Sequence, residues 1–233
     1  MKKLFVIILG IVLVAGCTKD DKANETNADS GKTIADSGTS IKIGTQTWTT
    51  KNLDVATYSD GTPIPQVTDP TAWDNLTTGA WCYYNNDPAT GTTYGKLYNW
   101  YAVAGIHDTD PNTPNKKLAP TGYHLPSDAE WTTLTTYLGG VFLAGGKMKS
   151  AGTTLWTSPN TSATNSSGFT GLPGGARYND GKFNLIGYVG FWWSSSELGT
   201  TDALNRQLNY DNGNARIYGS YKKNGLSVRC IKD

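Results

Sequence analysis

The clearest hydrophobic pattern in the chain predicts one helix that begins after Ser127. Trp131, Leu134 and Leu138 recur at spacings of three and four, which places them on one face of a helix. Ser127 followed three residues later by Glu130 has the spacing of a capping box. We therefore predict a helix of about three turns, against which the surrounding strands and loops pack.

Short strand patterns separated by polar loops fill most of the remaining domain. Alternation of apolar and polar side chains predicts strands in 203–210 and 226–231, and the Asn-Gly pair within 211–214 is typical of a hairpin turn. Four aromatic or apolar positions within 94–101 fall at helical spacing and predict a further short helix. Short helices, irregular late strands and long loops together indicate the α+β class.

Residues 1–16 have the composition of a secretory signal peptide. Lys2 and Lys3 precede an uncharged apolar run over 4–14, which is shorter than the roughly 20 residues of a membrane-spanning helix. The small residues before Cys17 resemble a bacterial lipobox, so we expect cleavage before Cys17 and its lipidation, with palmitate among the acyl chains. An ordinary signal peptide with an incidental cysteine is the alternative.

Residues 17–40 are predicted to be the lipidated cysteine and a disordered tether. Ile34 is the only large apolar side chain after Cys17, so the segment cannot bury a core, and its flexible chain spans about 25 Å. The stretch 19–21, Lys-Asp-Asp, resembles the surface-export signal of Bacteroidetes-type lipoproteins. We therefore expect an outer-membrane lipoprotein at the cell surface, with a plain charged linker as the alternative.

Residues 41–233 have a length suited to one domain. Their charge and aromatic content limit the kinds of partner that this domain can bind. Of 20 basic residues, Lys2 and Lys3 leave with the signal peptide, so 18 face 19 acidic residues in the mature chain. No basic run is present, which argues against a nucleic-acid partner. The 13 Tyr and 8 Trp outnumber the 5 Phe, so many rings must keep a polar end hydrogen-bonded.

Cys82 and Cys230 are the two cysteines that remain after lipidation. Pairs of cysteines in an oxidising compartment usually bond, so we expect a Cys82–Cys230 disulfide. Closing so long a loop would contribute roughly 4–5 kcal/mol in the chain-entropy model. Two buried free thiols are the alternative.

Seven motifs occur in the order of the Fibrobacter succinogenes major paralogous domain. They are Ile43–Trp48, Trp81–Tyr84, Gly95–Tyr101, Gly122–Trp131, Gly168–Arg177, Trp192–Glu197 and Gly225–Cys230. The motifs cover nearly all of 41–233, so the chain resembles this family. Its members are largely bacterial secreted proteins and lipoproteins without an assigned activity.

A second, more distant resemblance implies the fold of residues 41–233. Leu125–Trp131 is similar to the Leu-Pro-Thr-Glu-Ala-Glu-Trp stretch of the formylglycine-generating enzyme family, which implies a C-type-lectin-like domain. That family's oxidase activity needs a pair of copper-binding cysteines near the end of the domain, and only Cys230 lies there. The sugar-binding calcium motif of C-type lectins is also absent, so the resemblance implies neither activity.

No catalytic motif survives inspection, so we do not expect an enzyme. His124 before Leu-Pro is expected to be a hydrogen-bonded structural residue, and Ser194–Ser196 lack a Gly-x-Ser-x-Gly elbow. The loop 108–119 opens like a calcium loop but has Thr113 and Ala119 where an EF-hand needs Gly and Glu. No cofactor or metal is expected, although a looser structural calcium site stays open. Paired carboxylates can come from anywhere in a chain, which leaves a cryptic glycan-active enzyme as an alternative.

Binding is the function class that remains. C-type-lectin-like domains carry ligand surfaces on their irregular second half, which corresponds to 152–166, 177–188 and 198–224. The candidate ligand-binding residues there are Trp156, Arg177, Tyr178, Asp180, Tyr218 and Tyr221. Aromatic rings stack on sugars, so we expect a recognition or adhesion module for a glycan or surface protein. The alternative for the protein is a purely structural envelope lipoprotein. The alternative for each candidate residue is a role in packing or plain solvent exposure.

Overall fold

Short strands and helices make up residues 40–233, the part of the chain that this computed structural model describes. The strands are β1 (Ser40–Ile43), β2 (Gln46–Thr49), β3 (Trp81–Cys82), β4 (Leu97–Tyr98), β5 (Tyr123–His124), β6 (Gly174–Arg177), β7 (Phe183–Ile186), β8 (Val189–Leu198), β9 (Asp202–Asn209), β10 (Ala215–Tyr221) and β11 (Ile231–Lys232). The α-helices are α1 (Pro70–Asp74), α2 (Pro88–Tyr94), α3 (Trp100–Ala104), α4 (Asp128–Tyr137) and α5 (Val141–Met148). The predicted signal peptide, Cys17 and the tether up to residue 39 lie outside the described residues.

The first and last described strands meet in one antiparallel sheet of order β1-β2-β11-β5. Ile231 pairs with Trp48 on one side and His124 on the other, so the C-terminal strand holds the first hairpin against the strand before α4. A three-stranded antiparallel sheet, β10-β9-β8, and the two-strand ladders β3-β4 and β6-β7 complete the strand pairing. Short helices and antiparallel sheets confirm the α+β class.

The predicted capping-box helix is confirmed as α4. Ser127 Oγ accepts the Glu130 backbone N–H at 3.3 Å, and a Glu130 carboxylate oxygen accepts the Ser127 N–H at 2.8 Å. Trp131 and Leu134 are fully buried, as the spacing predicted. The Trp131 ring lies 4.5 Å from that of Trp48, so α4 packs directly on the four-stranded sheet.

The single short helix predicted within 94–101 is wrong. Helix α2 ends at Tyr94 because Gly95 adopts a φ of 71°, and strand β4 follows. A side chain at residue 95 would meet the Leu53 carbonyl at 2.8 Å, so the chain passes too closely for any residue but glycine. Helix α3 then starts afresh, because the Asn99 side chain accepts the Ala102 N–H.

One buried guanidinium joins its own segment to two others, 49–52 and 169–170. Arg229 is fully buried and donates to the side-chain oxygen of Asn52 at 2.7 Å and the Thr49 carbonyl at 2.6 Å. It also donates to the carbonyls of Phe169 and Thr170, each at 2.9 Å. Burial lowers the pKa of Arg229 to about 9. Hydrogen bonds to these four oxygens stabilise the buried charge.

A buried lysine ties the late loops together in the same way. Lys149 donates to the carbonyls of Thr161 and Asn209 at 2.8 Å and of Asn212 at 2.9 Å. Burial lowers the pKa of Lys149 to about 8. The ammonium therefore joins the loop at Thr161 to the end of β9 and to the turn that follows it.

Cys82 and Cys230 are buried free thiols, so the disulfide that we expected between them is not formed. Cys82 packs with Trp73 and Leu97 in a small cluster of its own, whereas Cys230 belongs to the larger core cluster. The two side chains therefore serve different packing units. Burial raises the pKa of each thiol to about 12, which keeps both thiols protonated.

His124 is held between two carboxylates at the start of α4. Its Nδ1 lies 2.7 Å from Asp233 Oδ1, and its Nε2 lies 2.7 Å from Glu130 Oε1. Burial alone would lower the pKa of His124, but the hydrogen bonds and charges of both carboxylates outweigh it and raise the pKa. Burial would raise the pKa of Glu130, yet the hydrogen bonds from Ser127 and the contact with His124 lower it. The group clamps the C-terminal strand to the α4 cap.

We expect both core thiols to resist alkylation in the native protein, because they are buried and protonated. The test uses the mature chain with Cys17→Ser, treated with maleimide before and after unfolding in urea. Cys82 and Cys230 should label only after unfolding, and reductant should leave the unfolding midpoint unchanged. A Cys82–Cys230 crosslinked peptide in a non-reducing digest would contradict this expectation.

We expect His124→Asn to destabilise the protein more at mildly acidic pH than at alkaline pH. The contribution of His124 is fully present below its unfolded pKa of 6.5 and is lost as the pH rises through the raised folded pKa. Half-exposed charges are screened, so the loss in unfolding free energy near pH 6 is at most about 1 kcal/mol. Urea unfolding of both proteins from mildly acidic to alkaline pH measures this difference in unfolding free energy. An equal loss at every pH would contradict the contribution of a charged His124.

Candidate functional site

Trp156 is part of the core and not of a binding surface. Only 1% of the residue is exposed, and its indole N–H donates to Ser150 Oγ and the Gly171 carbonyl, each at 3.1 Å. The Lys149 ammonium lies 5.4 Å from the ring centroid. The expected ligand contact of Trp156 is therefore corrected: the ring covers a buried cation, which is why a tryptophan occurs alone in a polar loop.

Arg177 is also buried, so its expected role as a ligand contact is corrected. It donates to the carbonyls of Val67 at 2.6 Å, Thr68 at 2.9 Å and Gly181 at 3.1 Å. The guanidinium carbon lies 4.3 Å from the centroid of the Trp73 ring. Arg177 thus joins the early loop to the β6-β7 ladder, and its own side chain does not face solvent.

Tyr178 and Asp180 lie around the turn between β6 and β7. Tyr178 is half-buried against the main core cluster. Asp180 is exposed and pairs with Lys182 at 2.8 Å, and this hydrogen bond lowers the pKa of the carboxyl group. These contacts explain both residues as parts of a turn, on a different ladder from β10.

Tyr218 and Tyr221 are exposed, at 39% and 54%, and both lie on β10. This strand is the edge of the three-stranded sheet, so one side of its backbone has no ladder partner within residues 40–233. Because side chains alternate along a strand, two residues three apart point to opposite faces. The structure therefore separates Tyr218 from Tyr221, although the sequence had grouped them.

Tyr218 is the centre of a polar and aromatic surface that we call the edge-strand strip, formed by Gln207, Arg216, Tyr218 and Ser220 over the fully buried Asn205. Arg216 donates to the Tyr218 hydroxyl at 3.3 Å, and Asn205 donates to the Tyr218 carbonyl at 3.0 Å and to Ser220 Oγ at 2.9 Å. Gln207 donates to Asn205 Oδ1 at 3.3 Å. The strip thus places the Tyr218 ring beside the Arg216 guanidinium and the Gln207 amide. Hydrogen bonds among these groups and to the buried Asn205 hold them in position.

Sequence reasoning missed Arg216 and Gln207 as members of this surface. The signal was present, because Arg216 and Tyr218 are two apart on one strand and the Asn-Gly hairpin turn sets β9 against β10. The resulting register places Arg216 opposite Gln207 and Tyr218 opposite Asn205. Cross-strand neighbours of a candidate residue are therefore as informative as its neighbours along the chain.

The loops that suggested metal or nucleophile chemistry use their polar groups internally. Asp108 accepts the Asp110 N–H at 3.0 Å, and Asp110 in turn accepts the Asn112 N–H at 2.9 Å, beside a cleft of about 370 Å³. Ser196 Oγ accepts the Asp128 N–H at 3.0 Å, and so continues the α4 cap. Within the described range, no group of three or more His, Cys, Asp or Glu side chains is arranged to hold a metal ion.

None of the helices within residues 40–233 is both long enough and apolar enough to span a bilayer.

Comparison with known proteins identifies the family. A sequence profile described as the Fibrobacter succinogenes major domain matches residues 41–232, from β1 to β11. No curated protein and no solved structure matches the chain. The match covers nearly all of the described residues, and all seven motifs fall within it. The chain therefore belongs to the Fibrobacter succinogenes major domain family.

Proposed function

We propose that the protein is a surface-exposed, membrane-anchored bacterial lipoprotein whose domain is a non-catalytic recognition or adhesion module for glycans. The edge-strand strip carries the binding part of this proposal, because it joins an exposed ring to hydrogen-bond donors on a sheet edge. The short helices, antiparallel ladders and long loops support a C-type-lectin-like fold for residues 41–233.

The chemistry of the strip suits a sugar. The Tyr218 ring offers an apolar face for the C–H side of a pyranose, and the Arg216 guanidinium offers several donors to its hydroxyls. Gln207, half-buried beside them, adds an amide whose position is fixed by Asn205. A single exposed site of this size binds weakly, so function at a cell surface depends on many copies acting together.

The anchor part of the proposal comes from residues 1–40. The lipobox-like sequence supports acylation of Cys17, and the polar stretch that follows supports a tether that holds the domain off the headgroups. The Lys-Asp-Asp sequence at 19–21 supports export to the outer face. Together they put the edge-strand strip in reach of extracellular or envelope polysaccharide.

We expect Tyr218→Ala to abolish binding on an array of glycans and envelope polysaccharides, because it removes the stacking face. The probe is the mature chain with Cys17→Ser, applied with calcium and with chelator. Tyr218→Phe should retain most binding, since the ring remains. Tyr188→Ala is the matched control, because Tyr188 is 45% exposed in the turn between β7 and β8, outside the strip. Loss with Tyr188→Ala alone, or no binding in either buffer, would reject the strip as a glycan site.

We expect Cys17→Ser to move the protein from the membrane fraction to the soluble fraction, because the acyl chains supply the anchor. Cys82→Ser is the control and should stay in the membrane fraction. Mass spectrometry of the N-terminal peptide should show acylation at Cys17. Antibody labelling of intact cells then tests surface exposure, and a protein that labels only after lysis would contradict it.

A further inference from the structure

A second exposed surface lies at the turn between α4 and α5. It is formed by Tyr137, Phe142 and Leu143, which we call the apolar knuckle. Their exposures of 65%, 75% and 60% are the highest of any large hydrophobic residue within 40–233. Single exposed apolar side chains are ordinary, but three within the seven residues 137–143 around one helix–helix turn are not.

Helix α5, which carries Phe142 and Leu143, is held in place by its packing. Ala144 and Met148 on this helix are fully buried. Gly146 donates its N–H to the Gly213 carbonyl at 3.0 Å. A side chain at Gly145 would meet the Asn214 carbonyl at 2.0 Å, so the helix lies directly on the β9–β10 turn. The position of α5 is thus fixed by these contacts, while Phe142 and Leu143 remain exposed.

One knuckle residue contacts the hairpin with which the described chain begins. The Tyr137 ring covers Gly44, in the turn of the β1–β2 hairpin, at 2.9 Å from an ideal Cβ position. Strand β1 has four residues, so Ser40 lies roughly 15 Å from that turn. The 22 residues 18–39 then lead to Cys17. The tether predicted there would span about 25 Å, which would leave the knuckle within reach of the bilayer that holds the anchor.

We propose that the apolar knuckle docks into the headgroup–acyl boundary of the phospholipid bilayer to which Cys17 is anchored. This inference rests on the anchor proposed above. Tyr, Phe and Leu beside a lysine are the side chains that lie at such interfaces, and Lys147 places its ammonium next to Gly139 on the same turn. A few such side chains bind a bilayer weakly, but a short tether supplies an effective concentration of about millimolar.

Docking through the knuckle would orient the edge-strand strip away from the membrane. Helix α5 packs against β10, whose Ala215 is buried on the same side. Arg216 and Tyr218 have the opposite strand parity to Ala215 and Ile217, so they point from the other face of the sheet. The domain would then present its proposed glycan surface outward instead of tumbling on the tether.

The test uses the lipidated chain reconstituted in vesicles of phosphatidylethanolamine and phosphatidylglycerol. Leu143→Cys carries the fluorophore nitrobenzoxadiazole, and the control label is on Lys182→Cys, whose side chain is 80% exposed on the β6–β7 turn. The native Cys82 and Cys230 are buried and stay unlabelled. We expect blue-shifted, severalfold brighter emission and quenching by spin-labelled lipid at position 143 only. Adding Phe142→Ser should reduce the shift.

The outcomes separate this inference from the anchor. A protein that does not co-float with vesicles has no working anchor, and the docking inference falls with it. A protein that co-floats while position 143 remains as water-like as position 182 keeps its anchor but overturns the docking. A blue shift that depends on protein concentration and occurs without vesicles would assign the knuckle to a second copy of the chain, and would also overturn the docking.

Discussion

The fold depends on cations that are buried in its interior and hydrogen-bonded to carbonyl and amide oxygens. Arg229 shows the principle most clearly, because it lies in the last part of the chain and binds Thr49, Asn52 and the 169–170 loop at once. A buried charge without partners is very costly, so the native arrangement of these segments is the one that surrounds the guanidinium. Asn52 also accepts the Trp192 indole N–H, which links the cradle to β8.

Arg177 and Lys149 repeat this solution at two other places. Each hydrogen-bonds to three carbonyl oxygens and lies against a tryptophan, Trp73 for Arg177 and Trp156 for Lys149. Carbonyls in irregular loops need donors, and a buried cation supplies several from one point. The long loops are thus ordered without a disulfide, and the two core cysteines remain free to pack as small apolar groups.

This internal order explains how an irregular half can carry defined surfaces. Lys149 holds the turn between β9 and β10 through the Asn209 and Asn212 carbonyls, and that turn supports both α5 and the edge strand. The edge-strand strip and the apolar knuckle are therefore supported by one buried ammonium. Trp73 and Trp156 cover buried cations. Tyr137, Tyr218 and Tyr221 are exposed.

The sequence by itself determined the features that depend on neighbouring residues. The α4 helix was predictable because its cap and its apolar stripe lie within twelve residues, 127–138, and the order of motifs was enough to recognise the family. The break at Gly95 and the Asn99 cap were also local signals, which the aromatic spacing of 94–101 obscured. Only the tertiary structure decided which polar and aromatic residues are buried. Trp156 and Arg177 have mostly polar neighbours in the sequence, which suggests exposure. Their side chains are enclosed by carbonyls and rings that come from distant segments. Burial and thiol pairing are consequences of that long-range packing, which no local pattern records.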